Sequence, residues 1–295
     1  MPLQRSKRRD DAVDKIRTIN WFRCIGDHLD IYIPREIQRF LQPGKTGTGV
    51  NSIRNNRYLE YSEGKHVPRP DLVEHADRLV DGSSWELNHV LWSVLRCSGP
   101  IHGKEHKWIR ELSGDIPTIV IEANNVIRLR GDRHYLGSFE RRASLDSLTA
   151  LTILLRMNHE RQDFEQVWEC AKSIFRVLLM IGNDLNERCI GALMFDLYAE
   201  RVFCLARYNG NRIYAEKSNY PAMSRVLYEL AEHLREKNSH VKDRKSKNHY
   251  LIQILSSVQI GEFFQPLIGP DLDIGAPTKA YSEWLSVRNS ETAEY

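Results

Sequence analysis

Four short stretches carry residue types that could do chemistry. His102-Gly103-Lys104-Glu105-His106 sets two imidazoles four residues apart, a spacing that puts metal ligands on one face of a helix. Gly103 weakens such a helix, and a zinc-protease motif needs a glutamate directly after the first histidine, so the pair reads as two surface histidines. Glu86-Leu87-Asn88-His89 has the i, i+3 carboxylate–imidazole spacing with which helical bundles hold a di-iron centre. That chemistry needs a second such pair and two more glutamates, and one pair is present. Pro43-Gly44-Lys45-Thr46 matches the end of a phosphate-wrapping loop, but Arg39 stands where the loop's first glycine belongs and a helix precedes it instead of a strand.

Asp115 and Glu122 flank the apolar run Pro117–Ile121. The pair resembles the acidic residues of a metal-dependent nuclease core, where carboxylates hold a divalent ion and a lysine two places on stabilises charge at phosphate. Asn124 occupies that lysine's position. No catalytic set and no metal-ligand set emerges, and no cofactor is implied. Nucleophile-elbow, kinase and dinucleotide fingerprints are absent from the sequence.

The richest constellation is Asn51–Leu79, NSIRNNRYLEYSEGKHVPRPDLVEHADRL. Its first helix has a poor apolar stripe and offers Arg54, Asn55, Asn56 and Arg57, side chains that can pair bidentately with guanine and adenine edges. Lys45, Lys65, Arg69 and the arm Arg5, Lys7, Arg8 and Arg9 are placed to neutralise phosphates. Tyr61, Gly64, Lys65, Pro68, Leu72, Ala76 and Leu79 give the segment a pattern that resembles the second half of Cro-like helix-turn-helix domains. There a polar, basic helix ends at an aromatic residue and glycine, and a basic residue, a proline and a leucine/alanine-patterned helix follow. The resemblance covers about thirty residues; the chain otherwise resembles uncharacterised bacterial proteins, which implies no function. The Cro-like resemblance implies duplex DNA as a partner, with Arg54, Asn55, Arg57, Lys65, Arg69, Lys45, Arg8 and Arg9 as contacts. The alternative is a helical accessory or scaffold protein that binds another protein and no nucleic acid.

The elements that must position these residues are mainly helical. Val13, Ile16, Trp21, Ile25 and Leu29 recur at helical spacing, and Pro34 opens a short helix through Leu41. Further helices are expected over Asn51–Tyr61, Leu72–Leu79 and Ser84–Leu95, with Gly64 as a left-handed cap. Pro117–Glu122 and Val126–Leu129 read as two short strands joined by Asn124-Asn125, a β-hairpin. From Arg141 the pattern is helical again: stripes over Leu145–Leu155 and Phe164–Leu178, a buried helix over Leu185–Phe203, an amphipathic one from Met223 to Leu234, and Tyr250–Val258. Gly261–Pro277 reads as a loop and Tyr281–Val287 as a last short helix. The fold class is therefore mainly α: a basic N-terminal helical module (1–96), a connector with the hairpin (97–140) and a C-terminal helical bundle (141–295). The bundle is expected to make a homodimer or hold a protein partner.

Composition sets the frame. Hydrophobic residues make up 41% and charged residues 27% of 295 residues, a globular composition long enough to bury a core without disulfides. Five scattered cysteines form no C-x-x-C pair, which favours a reducing compartment and packing roles. The basic N-terminus lacks the apolar stretch of a secretory signal, and no run approaches the ~18 apolar residues of a membrane span, so the expectation is a cytoplasmic protein. Net charge is only +3, but residues 1–70 hold 14 Lys/Arg against 8 Asp/Glu, whereas 271–295 hold 2 against 5. A polyanion would meet the N-terminal part first.

Overall fold

The computed structural model describes residues 11–43, 56–237 and 244–271. Two compact units emerge: the described residues of Met1–Ser98 with Asp184–Met194 form the first, and those of Gly99–Asn183 with Phe195–Tyr295 form the second. Both are built mainly from helices.

In the first unit, α1 (Asp11–Leu29) lies against α3 (Arg57–Ser62), α5 (Ser83–Asn88) and α6 (Val90–Arg96), while α2 (Pro34–Leu41) and α4 (Pro70–Leu79) complete the shell. Both α2 and α4 begin on a proline, whose fixed φ and missing N–H suit the first helical turn. Trp21, Phe22, Ile25, Ile37, Leu41, Tyr58, Tyr61, Leu72 and Ala76 pack as one buried cluster. Tyr61 meets Trp21 and Tyr58 edge-on, at ring-centroid distances of 6.0 and 5.7 Å. Residues 184–194 join this unit through Arg188, whose Nη1 donates to Asn20 and to Glu86, both at 3.1 Å.

The expected single helix over Ser84–Leu95 is broken at His89. This residue leaves the helical region (φ −52°, ψ 138°), and its ring Nδ1 accepts from Leu91 N at 3.1 Å, capping α6.

In the second unit, α10 (Leu145–Glu160) runs from a Ser144 cap and buries nearly every side, as its Leu/Ile/Thr-rich sequence requires. With it stand α9 (Arg133–Arg142), α13 (Tyr220–Lys237) and α14 (Arg244–Ser256), and most of α11 (Phe164–Glu187) and α12 (Gly191–Arg201). Phe195 stacks on Tyr220 with ring centroids 4.4 Å apart, and the Tyr220 hydroxyl donates to the Leu178 carbonyl at 2.9 Å. The buried Tyr198 hydroxyl sits 3.0 Å from Thr152 Oγ1, so that phenol stays satisfied in an apolar setting.

Two expectations about local structure are corrected. Pro117–Val120 does not extend: Ile116–Val120 forms a short helix, α8, with the proline in its first turn. What remains of the expected hairpin is one antiparallel bridge, Ile121 to Ile127, across a turn where Asn125 takes φ 63°. The three-stranded antiparallel sheet lies elsewhere, β1 (Arg207–Tyr208), β2 (Asn211–Ile213) and β3 (Ile268–Pro270). Asn209 and Gly210, both at positive φ, make the two-residue turn between β1 and β2. The buried run Leu185–Phe203 is also not one helix: α11 ends at Glu187 and α12 starts at Gly191, with Cys189 at φ 60° in the break.

Candidate nucleic-acid interface

Of the residues expected to contact nucleic acid, Arg57, Lys65 and Arg69 are described; Lys45, Arg54, Asn55, Arg8 and Arg9 lie outside the described residues, as does the expected Tyr281–Val287 helix. The helix expected from Asn51 is described from Arg57. Its inner face carries Tyr58 and Tyr61, three apart, which leaves Arg57 on the outer face.

The chain then turns at Gly64, with φ +68°. A Cβ added there would stand 2.6 Å from the Lys15 carbonyl of α1, so glycine is required both by the left-handed backbone and by the close approach. This turn sets Lys65 at the mouth of a shallow pocket shared with Lys15, Asp14, Glu63 and His66. Lys15 belongs to the basic face although its place on α1 is far from the motif in sequence; the contact through Gly64 is a tertiary fact that no spacing signals.

Arg69 follows, exposed, immediately before α4. Arg57 and Arg69 both influence the buried Tyr61 phenol. Burial raises the Tyr61 phenol above its ordinary range, and the guanidinium groups of Arg57 and then Arg69 pull against that rise, ahead of the opposing effects of Asp71 and Glu60. Carboxylates are interleaved with this face: Lys65 pairs with Glu63 at 2.5 Å, and His66 approaches Glu60 at 3.7 Å. Both pairs are solvent-exposed, where such contacts contribute little, so a phosphate can compete for the cations.

The metal-type candidates separate. The His102 side chain is 92% exposed and its ring reaches only the Glu105 carboxylate at 4.0 Å. Glu86 is taken by Asn20 and Arg188, and His89 by its cap. Asp115 is bonded to Arg142, which holds its carboxyl below the ordinary carboxylate range, and Glu122 is exposed beyond the Ile121 bridge. Among the described residues, no group of three or more His, Cys, Asp or Glu side chains comes together to hold a metal. No described helix is long and apolar enough to cross a membrane.

Comparison of the chain with protein-family models, curated proteins and solved structures finds no match.

Proposed function

We propose that this protein is a cytoplasmic, non-enzymatic nucleic-acid-binding protein that contacts duplex DNA through the first unit, along α3, the Gly64 turn and the start of α4. The observation that carries this reading is that the tight Gly64 turn, packed against Lys15 of α1, joins α3 to α4 in a short stretch that leaves Arg57, Lys65 and Arg69 exposed. Exposed guanidinium groups on either side of a short helix suit phosphate and base edges, because the planar fork bonds in a bidentate way. Lys15 and Lys65 extend the same face. The Cro-like pattern of Tyr61, Gly64, Lys65, Pro68, Leu72, Ala76 and Leu79 supports the reading, with Arg54, Asn55, Lys45, Arg8 and Arg9 as its further contacts.

Fluorescence anisotropy of a labelled duplex, titrated with the full chain from about 50 to 200 mM salt, tests it. Micromolar binding that falls steeply with salt, and is lost in Arg57→Ala/Arg69→Ala, is expected. Absence of binding at the lowest salt, or binding indifferent to that double variant, would overturn it.

A second reading, a protein-binding accessory role, is favoured by the apolar residues that follow α14. Val258 is 84% exposed and Phe263 62%. Such side chains in sequence proximity suit a partner surface or a homodimer. Binding through them would be weakly dependent on salt, the reverse of the DNA expectation.

A further inference from the structure

The second unit holds an open cavity of about 1060 Å³ between α9 and α14. His134, Gly137 and Arg141 line it from α9, at the three- and four-residue spacing of a single helix face. His249 and Ile252 line it from α14. Gly137 sits inside a helix, where glycine is about 1 kcal/mol worse than alanine. A Cβ at that position would stand 3.4 Å from Arg141 Nη1, so the missing side chain keeps the floor clear beneath the guanidinium.

Charge in this cavity is unevenly committed. Arg133 binds Glu140 with both terminal nitrogens, at 2.6 and 2.9 Å. Arg142 is bonded to Asp115. Those two carboxylates are thereby neutralised, and Glu140 is further held by Arg176 at 3.0 Å from behind. Among the described residues the Arg141 guanidinium and the His134 ring make no hydrogen bond or ion pair, and the His249 ring meets Tyr250 edge-on at a centroid distance of 5.9 Å. Among the described lining residues Arg141 is thus a cation without a carboxylate partner, and two exposed imidazoles, His134 and His249, line the same cavity. A guanidinium with donors in a fixed fork matches a phosphoryl group, and Ile252 with the bare Gly137 floor gives an apolar wall beside it. The volume far exceeds an inorganic ion and lies just above the ~300–1,000 Å³ usual for small-molecule sites, room for a metabolite-sized ligand.

We propose that this groove is a binding site for an organic phosphate of metabolite size, its phosphoryl group taken by Arg141 with His134 and His249, and its organic part set against Ile252 and Gly137. The site lies wholly in the second unit and does not depend on the DNA-binding face.

Isothermal titration of the full chain with AMP, ATP and glucose 6-phosphate, with adenosine as the uncharged control, tests the assignment. At least one of the three phosphates should bind while adenosine does not. Arg141→Ala should weaken that affinity about tenfold or more, since charge-assisted hydrogen bonds are lost. Gly137→Leu should abolish it by filling the floor, and Arg57→Ala/Arg69→Ala should leave it unchanged. Among the described residues the Arg141 side chain makes no hydrogen bond or ion pair, so an unaltered melting temperature shows that its variant reports on binding. No heat from any of the three phosphates, adenosine binding as tightly as AMP, or an affinity unchanged in Arg141→Ala would overturn the proposal.

Discussion

Arg176 reaches Glu140 inside the second unit, Nε to carboxylate at 3.0 Å, with the glutamate 1% exposed. The carboxylate also accepts from Ser173 Oγ at 3.0 Å and from Arg133, while Arg176 donates onward to the Leu255 carbonyl at 3.1 Å and to Ser256. Burial lowers the affinity of the Arg176 guanidinium for its proton, and the Glu140 charge counters this. One buried carboxylate therefore ties α9 to α11 and, through Arg176, to the end of α14, so that both walls of the groove, α9 and α14, are joined through α11.

Removing that carboxylate should be costly because it strands a buried cation. Glu140→Ala is expected to destabilise the protein by about 3–5 kcal/mol, seen as a lower midpoint in urea unfolding. Glu140→Leu combined with Arg176→Met should cost clearly less than the single change, because neither charge remains to be solvated. A double variant as unstable as the single one would show that the network's hydrogen bonds, not the stranded charge, dominate.

Gly64→Ala tests the turn that carries the basic face. The new methyl must occupy a left-handed backbone position and displace the Lys15 carbonyl, 2.6 Å away. A loss of ~1–3 kcal/mol is expected in chemical denaturation. Because the same turn positions Lys65 beside Lys15, DNA affinity should fall even where the variant is fully folded. Unchanged DNA affinity in the folded variant would separate the turn from the interface.

Asn248 supplies a third prediction. Its Nδ2 donates to the carbonyls of Arg141 and Arg142 at 3.1 and 3.3 Å, where α9 ends in a residue, Ala143, at φ 35°. The last carbonyls of a helix need donors from outside it, and here a neighbouring helix provides one. Asn248→Ala should cost about 1 kcal/mol. Asn248→Asp should cost more, since it removes the donor and sets a negative charge against the negative end of the helix. Equal stabilities for the two variants in parallel urea titrations would argue against the cap.

The helical class and most helix positions were legible because the apolar spacing is regular and because prolines mark two starts, Pro34 and Pro70. The strands were misplaced for a physical reason. Ile119, Val120 and Ile121 have β-branched side chains, but Pro117 in a first turn and the Asp115 carbonyl, which accepts from Thr118, favour a helical turn there. Asn209-Gly210 is a strong hairpin signal, yet its flanking strands are two and three residues long, too short to register as alternation. His89 was legible as a histidine but not as a helix cap, since that role depends on a backbone break inside a continuous apolar pattern. On the basic face Arg57, Lys65 and Arg69 could be named from the motif. Lys15 and the groove around Arg141 could not, because both arise from helices distant in sequence.

The cysteines give a prediction with a defined pH window. Burial raises the Cys24 thiol to about 11 and the Cys170 thiol to about 12, in each case the largest influence, against an ordinary value of 9.0. Cys189 and Cys204 are exposed. At neutral pH, iodoacetamide should therefore label the exposed Cys189 first and Cys204, whose thiol burial also raises, more slowly, while Cys24 and Cys170 should react only after unfolding. The same shifts couple to stability. Below pH 9 both buried thiols are protonated in the folded and unfolded chain alike, so their contribution is fully present. Above it the unfolded chain ionises first, and stability declines as pH rises toward the folded values of about 11 and 12. Urea midpoints measured across this range should fall, and Cys170→Ala should flatten part of that decline. A slope identical to the parent's would mean that the buried tyrosines, whose phenols are also raised by burial, govern the alkaline limb.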